Sequence, residues 1–154
     1  MKKIALIACS AKKLKESVKN PSKKFKAQEI YKGNTFKISK DYCFDSENGT
    51  FINGFEDFCI LSAKYGLLEK DDEISYYNMY LGKQTKQHKT NWAKTVLAAL
   101  AAKYDLKNDE FYIFGGTSYY EGLIHHLNCV VFKYKNSNCI DLNKIKAEYK
   151  NGGK

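Results

Sequence analysis

The sequence predicts an α/β protein, a three-layer α/β/α sandwich around a mainly parallel sheet of about four strands. Three observations carry this. Short continuous apolar runs alternate with longer polar or amphipathic segments. The runs lack a two-residue alternation, as strands covered on both faces do. The segment before the third run carries apolar residues at helical spacing, and strands alternating with helices need crossovers and hence parallel pairing.

The elements follow in order. Lys3 to Ala8 is the first strand. Ser10 to Asn20 is polar and lysine-rich and reads as a loop. Pro21 can open a helix, which extends to about Tyr31. Gly33-Asn34 interrupts it, and a second helix covers Thr35 to Phe44. Asp45 to Gly54 reads as loop, with Asn48-Gly49 as a turn signal. Residues 58–61 form the second strand. Ser62 to Leu81 is a long polar, tyrosine-rich segment. Thr85 to Tyr104 places Trp92, Val96, Leu97, Leu100 and Ala101 on one helical face. Residues 111–114 are the third strand. Gly115-Gly116 breaks it, and a helix covers Ser118 to Leu127. Residues 130–132 are the fourth strand, and Asn143 to Lys150 reads as a last short helix.

The 154 residues suit one domain, 1–154. The opening Met1-Lys2-Lys3 and the run ending at Cys9 imitate a lipoprotein signal. The run Ile4 to Ala8 falls short of the roughly 7–15 apolar residues such a signal needs, and a buried strand explains it better. No stretch approaches the ~20 apolar residues of a membrane span. The expected setting is the cytoplasm, with no membrane partner. The five cysteines, Cys9, Cys43, Cys59, Cys129 and Cys139, form no C-x-x-C pair and read as reduced thiols. His88, His125 and His126 lack metal-ligand spacing, so neither a metal nor another cofactor is expected.

The net charge is +9, and every basic residue is lysine. An anionic partner and a lysine-favouring genome both account for that. The absence of arginine excludes bidentate arginine readout of guanine.

Ligands of parallel sheets bind beyond the carboxyl ends of the strands. The first strand is followed by Cys9-Ser10-Ala11-Lys12-Lys13 and the second by Ser62-Ala63-Lys64-Tyr65-Gly66. The third is followed by Gly115-Gly116-Thr117-Ser118-Tyr119-Tyr120. Hydroxyls and lysines at these places can bind an anion, and glycine lets backbone amides approach it. The candidate binding residues are therefore Ser10, Lys12, Lys13, Ser62, Lys64, Tyr65, Gly66, Gly115, Gly116, Ser118 and Tyr119. Chance and plain turn chemistry are the alternatives. No Walker loop, G-x-G-x-x-G or G-x-S-x-G is present.

The run from Ile60 through Leu61-Ser62-Ala63-Lys64-Tyr65-Gly66-Leu67-Leu68, followed by Asp71-Asp72, Ile74 and Tyr77, resembles a motif in a family of uncharacterised bacterial, archaeal and phage proteins. The Cys9 to Lys13 stretch matches that family's first strand end. Ala27-Gln28-Glu29-Ile30-Tyr31-Lys32-Gly33-Asn34-Thr35-Phe36 matches its Ala-x-x-Leu/Ile-Tyr-x-Gly-x-x-Phe stretch. The order also resembles the YaaA peroxide-stress proteins, through Leu61-Ser62, Tyr65-Gly66, Asp72 and Tyr77. Those proteins are described as DNA-binding, and similar domains lie near the uracil-DNA glycosylase-like folds. Asn78 stands where the peroxide-stress proteins carry an arginine-containing stretch.

The resemblance implies a protein that processes a base or nucleoside, with chemistry at the N-glycosidic bond. Such a reaction builds positive charge on the sugar, which a carboxylate can stabilise while activating water. Asp71 and Asp72 are the catalytic candidates; a helix cap is their bland alternative. Lys12 and Lys64 are candidates for the phosphates or base anion, and Tyr77, Tyr119 and Tyr120 for stacking. A non-catalytic DNA- or RNA-binding stress protein and a binder of a small phosphorylated metabolite are the rival readings.

Overall fold

Ile4, Ala5, Leu6 and Ile7 are completely buried at the centre of a six-stranded sheet. The computed structural model describes residues 1–136 and 139–147. Its first half comprises β1 (Lys3–Ala8), α1 (Lys15–Lys19), β2 (Phe25–Lys26), α2 (Ala27–Ile30), α3 (Asn34–Cys43), β3 (Phe44–Asp45), β4 (Thr50–Phe51), β5 (Asp57–Ser62), β6 (Gly66–Glu69) and β7 (Glu73–Ile74). A 3-10 turn (Leu81–Lys83), α4 (Lys86–Ala101), β8 (Glu110–Phe114), α5 (Thr117–Tyr120), β9 (Cys129–Asn136) and β10 (Cys139–Ala147) follow.

The strand order is β10-β9-β8-β1-β5-β6. The four inner strands are parallel, and β6 and β10 run antiparallel along the two edges. Ala8 of β1 pairs with Leu61, and Ile7 pairs with Phe114. The carboxyl ends of β1, β5 and β8 therefore lie level on one edge.

Successive residues of β1 feed two separate cores. Ile4 and Leu6 join Leu61, Ile113 and Val131 with Trp92, Val96 and Leu100 of α4. Ala5 and Ile7 join Phe58, Ile60, Phe114 and Phe132 with Ile30, Phe36 and Cys43 from α2 and α3. A strand buried on both faces has no reason to alternate polar residues, which explains the continuous apolar run.

The architecture is thus mixed α/β with a mostly parallel sheet, but of six strands rather than about four. The residues following Ser62, read as a polar segment, turn back at once, and Gly66–Glu69 pairs along β5 as β6. The expected last helix over Asn143 to Lys150 is strand β10 as far as Ala147; residues 148–150 lie outside the described residues. The expected helix from Pro21 to Tyr31 shrinks to Ala27–Ile30, because Phe25 and Lys26 pair with Ile74 and Glu73. One helical turn, Lys15–Lys19, occupies the expected loop. The expected helix from Ser118 to Leu127 is regular only over Thr117–Tyr120 and continues as turns. The helices near Thr35 and Thr85 form as Asn34–Cys43 and Lys86–Ala101. Among the described residues, no helix is long and apolar enough to cross a membrane.

Candidate functional site

The level strand ends bring the predicted loops together, but into two layers with different characters. One is a buried polar knot. Ser62 is fully buried, and its Oγ lies 2.9 Å from Tyr77 Oη and accepts the Tyr65 N–H at 3.0 Å. Tyr77 Oη in turn lies 2.6 Å from Tyr31 Oη. The Ser62 carbonyl accepts Trp92 Nε1–H from the opposite face at 2.8 Å. Ser62 thereby ties both cores to the end of β5. Burial, reinforced by the nearby Cys9 thiol, holds the Tyr77 and Tyr31 hydroxyls well above the usual phenol range.

Lys13 closes this knot. It is only 7% exposed, its Nζ donates to the carbonyls of Ser10 and Ala11 at 3.2 Å each, and it sits 4.5 Å above the Tyr77 ring. Burial lowers its pKa, with the neighbouring Cys9 thiol working against that. A lysine so enclosed braces the loop. Ser10 does similar work. Its Oγ accepts the Gly33 N–H at 3.1 Å and donates to the Lys12 carbonyl at 2.8 Å. The Lys12 side chain is exposed.

The other layer is open. A cleft of about 430 Å³ is lined by Cys9, Gly115, Gly116, Ser118 and Tyr119 together with Tyr80 and Lys83. Gly115 admits the close approach of β8 to β1, because a Cβ there would stand 2.7 Å from Ala8 Cβ. Cys9 Sγ lies 3.2 Å from Tyr119 Oη. Burial, followed by that thiol, raises the Tyr119 pKa. Thr35, Thr117 and Tyr134 add hydroxyls to the lining. A second cleft, of about 440 Å³, adjoins at Ser118 and runs along Lys86, Lys89 and Trp92. A third, of about 240 Å³, is lined by Lys64, Tyr65, Gly66, His88 and Trp92.

Of the expected binding residues, Gly115, Gly116, Ser118 and Tyr119 share the first cleft, and Lys64, Tyr65 and Gly66 line the third. Ser10, Lys13, Ser62 and Tyr77 form the scaffold behind them. Asp71 and Asp72 line none of these three clefts. They lie in the turn between β6 and β7, where Asp72 Oδ2 accepts the Glu69 N–H at 2.8 Å. Asp71 accepts from Gln28 Nε2 and Lys70 Nζ, each at 2.7 Å. Those bonds, Lys70 first, hold the Asp71 carboxyl below its ordinary range.

Sequence reasoning missed Thr35, Tyr80, Lys83 and Tyr134. Tyr80 and Lys83 belong to the long segment after β5, where no strand end marks them. Thr35 follows the Gly33-Asn34 break, a signal read only as a helix start. No group of three or more potential metal ligands gathers among the described residues.

A family model described as a family of unknown function (DUF6884) matches residues 4–138. The match spans all three strand-end loops and the clefts between them. No significant match to a curated protein or to a solved structure was found.

Proposed function

The chain belongs to DUF6884, a family of unknown function, and from that premise we propose that its strand-end cleft binds a nucleotide-like anion drawn from nucleic acid. The observation that carries this is the convergence of the β1 and β8 ends on one cleft of about 430 Å³, within the ordinary range of ligand pockets of roughly 300–1,000 Å³. Lys83, Thr117 and Ser118 offer charge and hydroxyls to a phosphate. Tyr80 and Tyr119 offer ring faces to a base. We read the covering of both sheet faces as a three-layer α/β/α sandwich, the setting in which ligands bind past the strand ends. The resemblance to the YaaA proteins and uracil-DNA glycosylase-like folds supports nucleic acid as the source, in the cytoplasm. The positive charge suits either form of ligand.

Base processing at the N-glycosidic bond is the second reading, favoured by the meeting of three motif stretches around Tyr77. The Ala27 N–H donates to the Asp72 carbonyl at 2.7 Å, which binds two of these stretches beside both aspartates. A carboxylate at Asp71 or Asp72 would serve a substrate that reaches the β6–β7 turn.

Titration with nucleoside monophosphates and short oligonucleotides tests the first reading, with alkylation of Cys9 as reporter. Bound ligand should slow Cys9 labelling, and Lys83→Ala should weaken binding about tenfold. Unchanged labelling and unchanged affinity in Lys83→Ala would remove the cleft from the function. Mass spectrometry for released base, with Asp71→Asn and Asp72→Asn, tests the second. Release that persists in both variants excludes those carboxylates from the reaction.

A further inference from the structure

We propose that single-stranded nucleic acid lies along the strand-end edge, in a track running from Tyr80 and Lys83 past the first turns of α4 to Lys64 and Tyr65. This rests on the nucleotide reading of the first cleft and extends it from one unit to a strand.

Neighbouring clefts share a lining residue. The first and second share Ser118, and the second and third share Trp92. Their two ends carry the same device. Among the described residues, the exposed tyrosines are Tyr65, at 36%, and Tyr80, at 45%. Each has a lysine over its ring. Lys64 Nζ stands 5.2 Å from the Tyr65 centroid, and Lys83 Nζ stands 4.6 Å from that of Tyr80. A ring face for a base beside a cation for the adjoining phosphate is what an unpaired nucleotide needs. Between the two ends, Lys86 and Lys89 line the second cleft opposite one carboxylate, Glu121.

The track selects single strands because stacking on Tyr65 or Tyr80 requires an exposed base face, which a duplex keeps within its own stack. It tolerates many sequences because lysine acts as a point charge and no arginine fork is present. From Lys86 to Thr95 the wall of α4 extends about 14 Å at ~1.5 Å per residue. That length of wall exceeds the span of one nucleotide.

The test compares dTMP with oligothymidylates of 2, 4, 8 and 12 residues and with a hairpin duplex. Fluorescence anisotropy reads the oligomers, and calorimetry reads dTMP. The octamer should bind at least tenfold tighter than dTMP and at least tenfold tighter than the duplex. Tyr65→Ala should weaken the octamer about tenfold, and by more than it weakens dTMP. Lys64→Ala should lower the salt slope by about 0.7. Both positions are exposed, so circular dichroism should show both variants folded. An octamer no tighter than dTMP overturns the track while leaving the first cleft intact. If dTMP fails to bind and the octamer ignores Lys83→Ala, the cleft reading falls and the track with it. Equal binding of duplex or of poly-glutamate, or an octamer indifferent to Tyr65→Ala, overturns the track alone.

Discussion

Ser10 Oγ accepts the Gly33 N–H at 3.1 Å, and a Cβ on Gly33 would stand 2.6 Å from Ser10 Cβ. The backbone at Gly33 has φ −68°, which any residue adopts. Space, not conformation, requires the glycine. Gly33→Ala should therefore cost about 1–3 kcal/mol, as overpacking does. Adding Ser10→Gly should recover at least half of that in urea unfolding. An unchanged midpoint for the single variant would show that the two loops do not meet so closely.

Tyr77→Phe removes one hydroxyl and deprives two others of a partner. Ser62 Oγ still accepts the Tyr65 N–H, whereas Tyr31 Oη loses its 2.6 Å bond inside the core. The expected cost is about 1–2 kcal/mol, or a melting temperature lower by about 2–8 °C for a domain of this size. Calorimetry reads this directly. A wild-type melting curve would count against the buried knot.

The alkaline pH dependence follows from buried thiols, with the buried tyrosine hydroxyls acting in the same sense. Burial pushes the Cys59 thiol from its ordinary 9.0 up to about 11, and Cys129 to about 12. The folded chain therefore holds protons that the unfolded chain sheds above pH 9. Their contribution is full below that pH and is lost as the pH climbs through 11 to 12. Lys13 acts in the opposite sense, because burial lowers its pKa and the folded chain releases its proton first. Urea unfolding between pH 8.5 and 11 should show falling stability. Cys59→Ala should make that fall shallower, by up to about 1.4 kcal/mol per pH unit. An equal slope in the two proteins would contradict the assignment to Cys59.

Native thiol labelling should proceed in three classes. Cys139 is exposed, Cys9 is partly exposed, and Cys43, Cys59 and Cys129 are buried. Cys139 should react first, Cys9 more slowly, and the other three only on unfolding. Mass mapping of the adducts checks the order, and early labelling at Cys43 or Cys129 would refute the packing.

Much of this fold is legible in the sequence where burial is two-sided or periodicity is long. Ile4 to Ile7 and Phe58 to Leu61 are continuous runs because both faces are covered. Trp92, Val96 and Leu100 mark α4 because one stripe faces a core. The edge strands were obscured for physical reasons. β6 pairs along one side of β5, and its two leucines fall inside a polar stretch. β10 changes register between Asp141 and Lys144. The step of three residues from Leu142 to Ile145 breaks the two-residue rhythm of a strand.

For the site, the sequence places residues at strand ends but not in depth. Nothing in the letters Ser-Ala-Lys distinguishes Ser10 and Ser62, whose hydroxyls accept backbone N–H groups, from Lys64, which stays outside. Tyr80 and Lys83 reach the cleft through the fold of a segment that ends no strand. The aspartates stood out because of the motif around them, whose other members they help to fasten.

β1 lies between β5 and β8, and both partners come later in the chain. On a ribosome adding about 5–20 residues per second, β1 emerges before both of its strand partners. β5 arrives after about 50 more residues and β8 after about 100, a delay of roughly 5–20 s for the second. The β5–β6 hairpin, by contrast, pairs residues close together in sequence. During synthesis, then, α2 and α3 can cover one face of Ile4 to Ile7, but both edges of the strand stay without a partner until β5 and β8 follow. The centre of the sheet cannot close until β8 has been made.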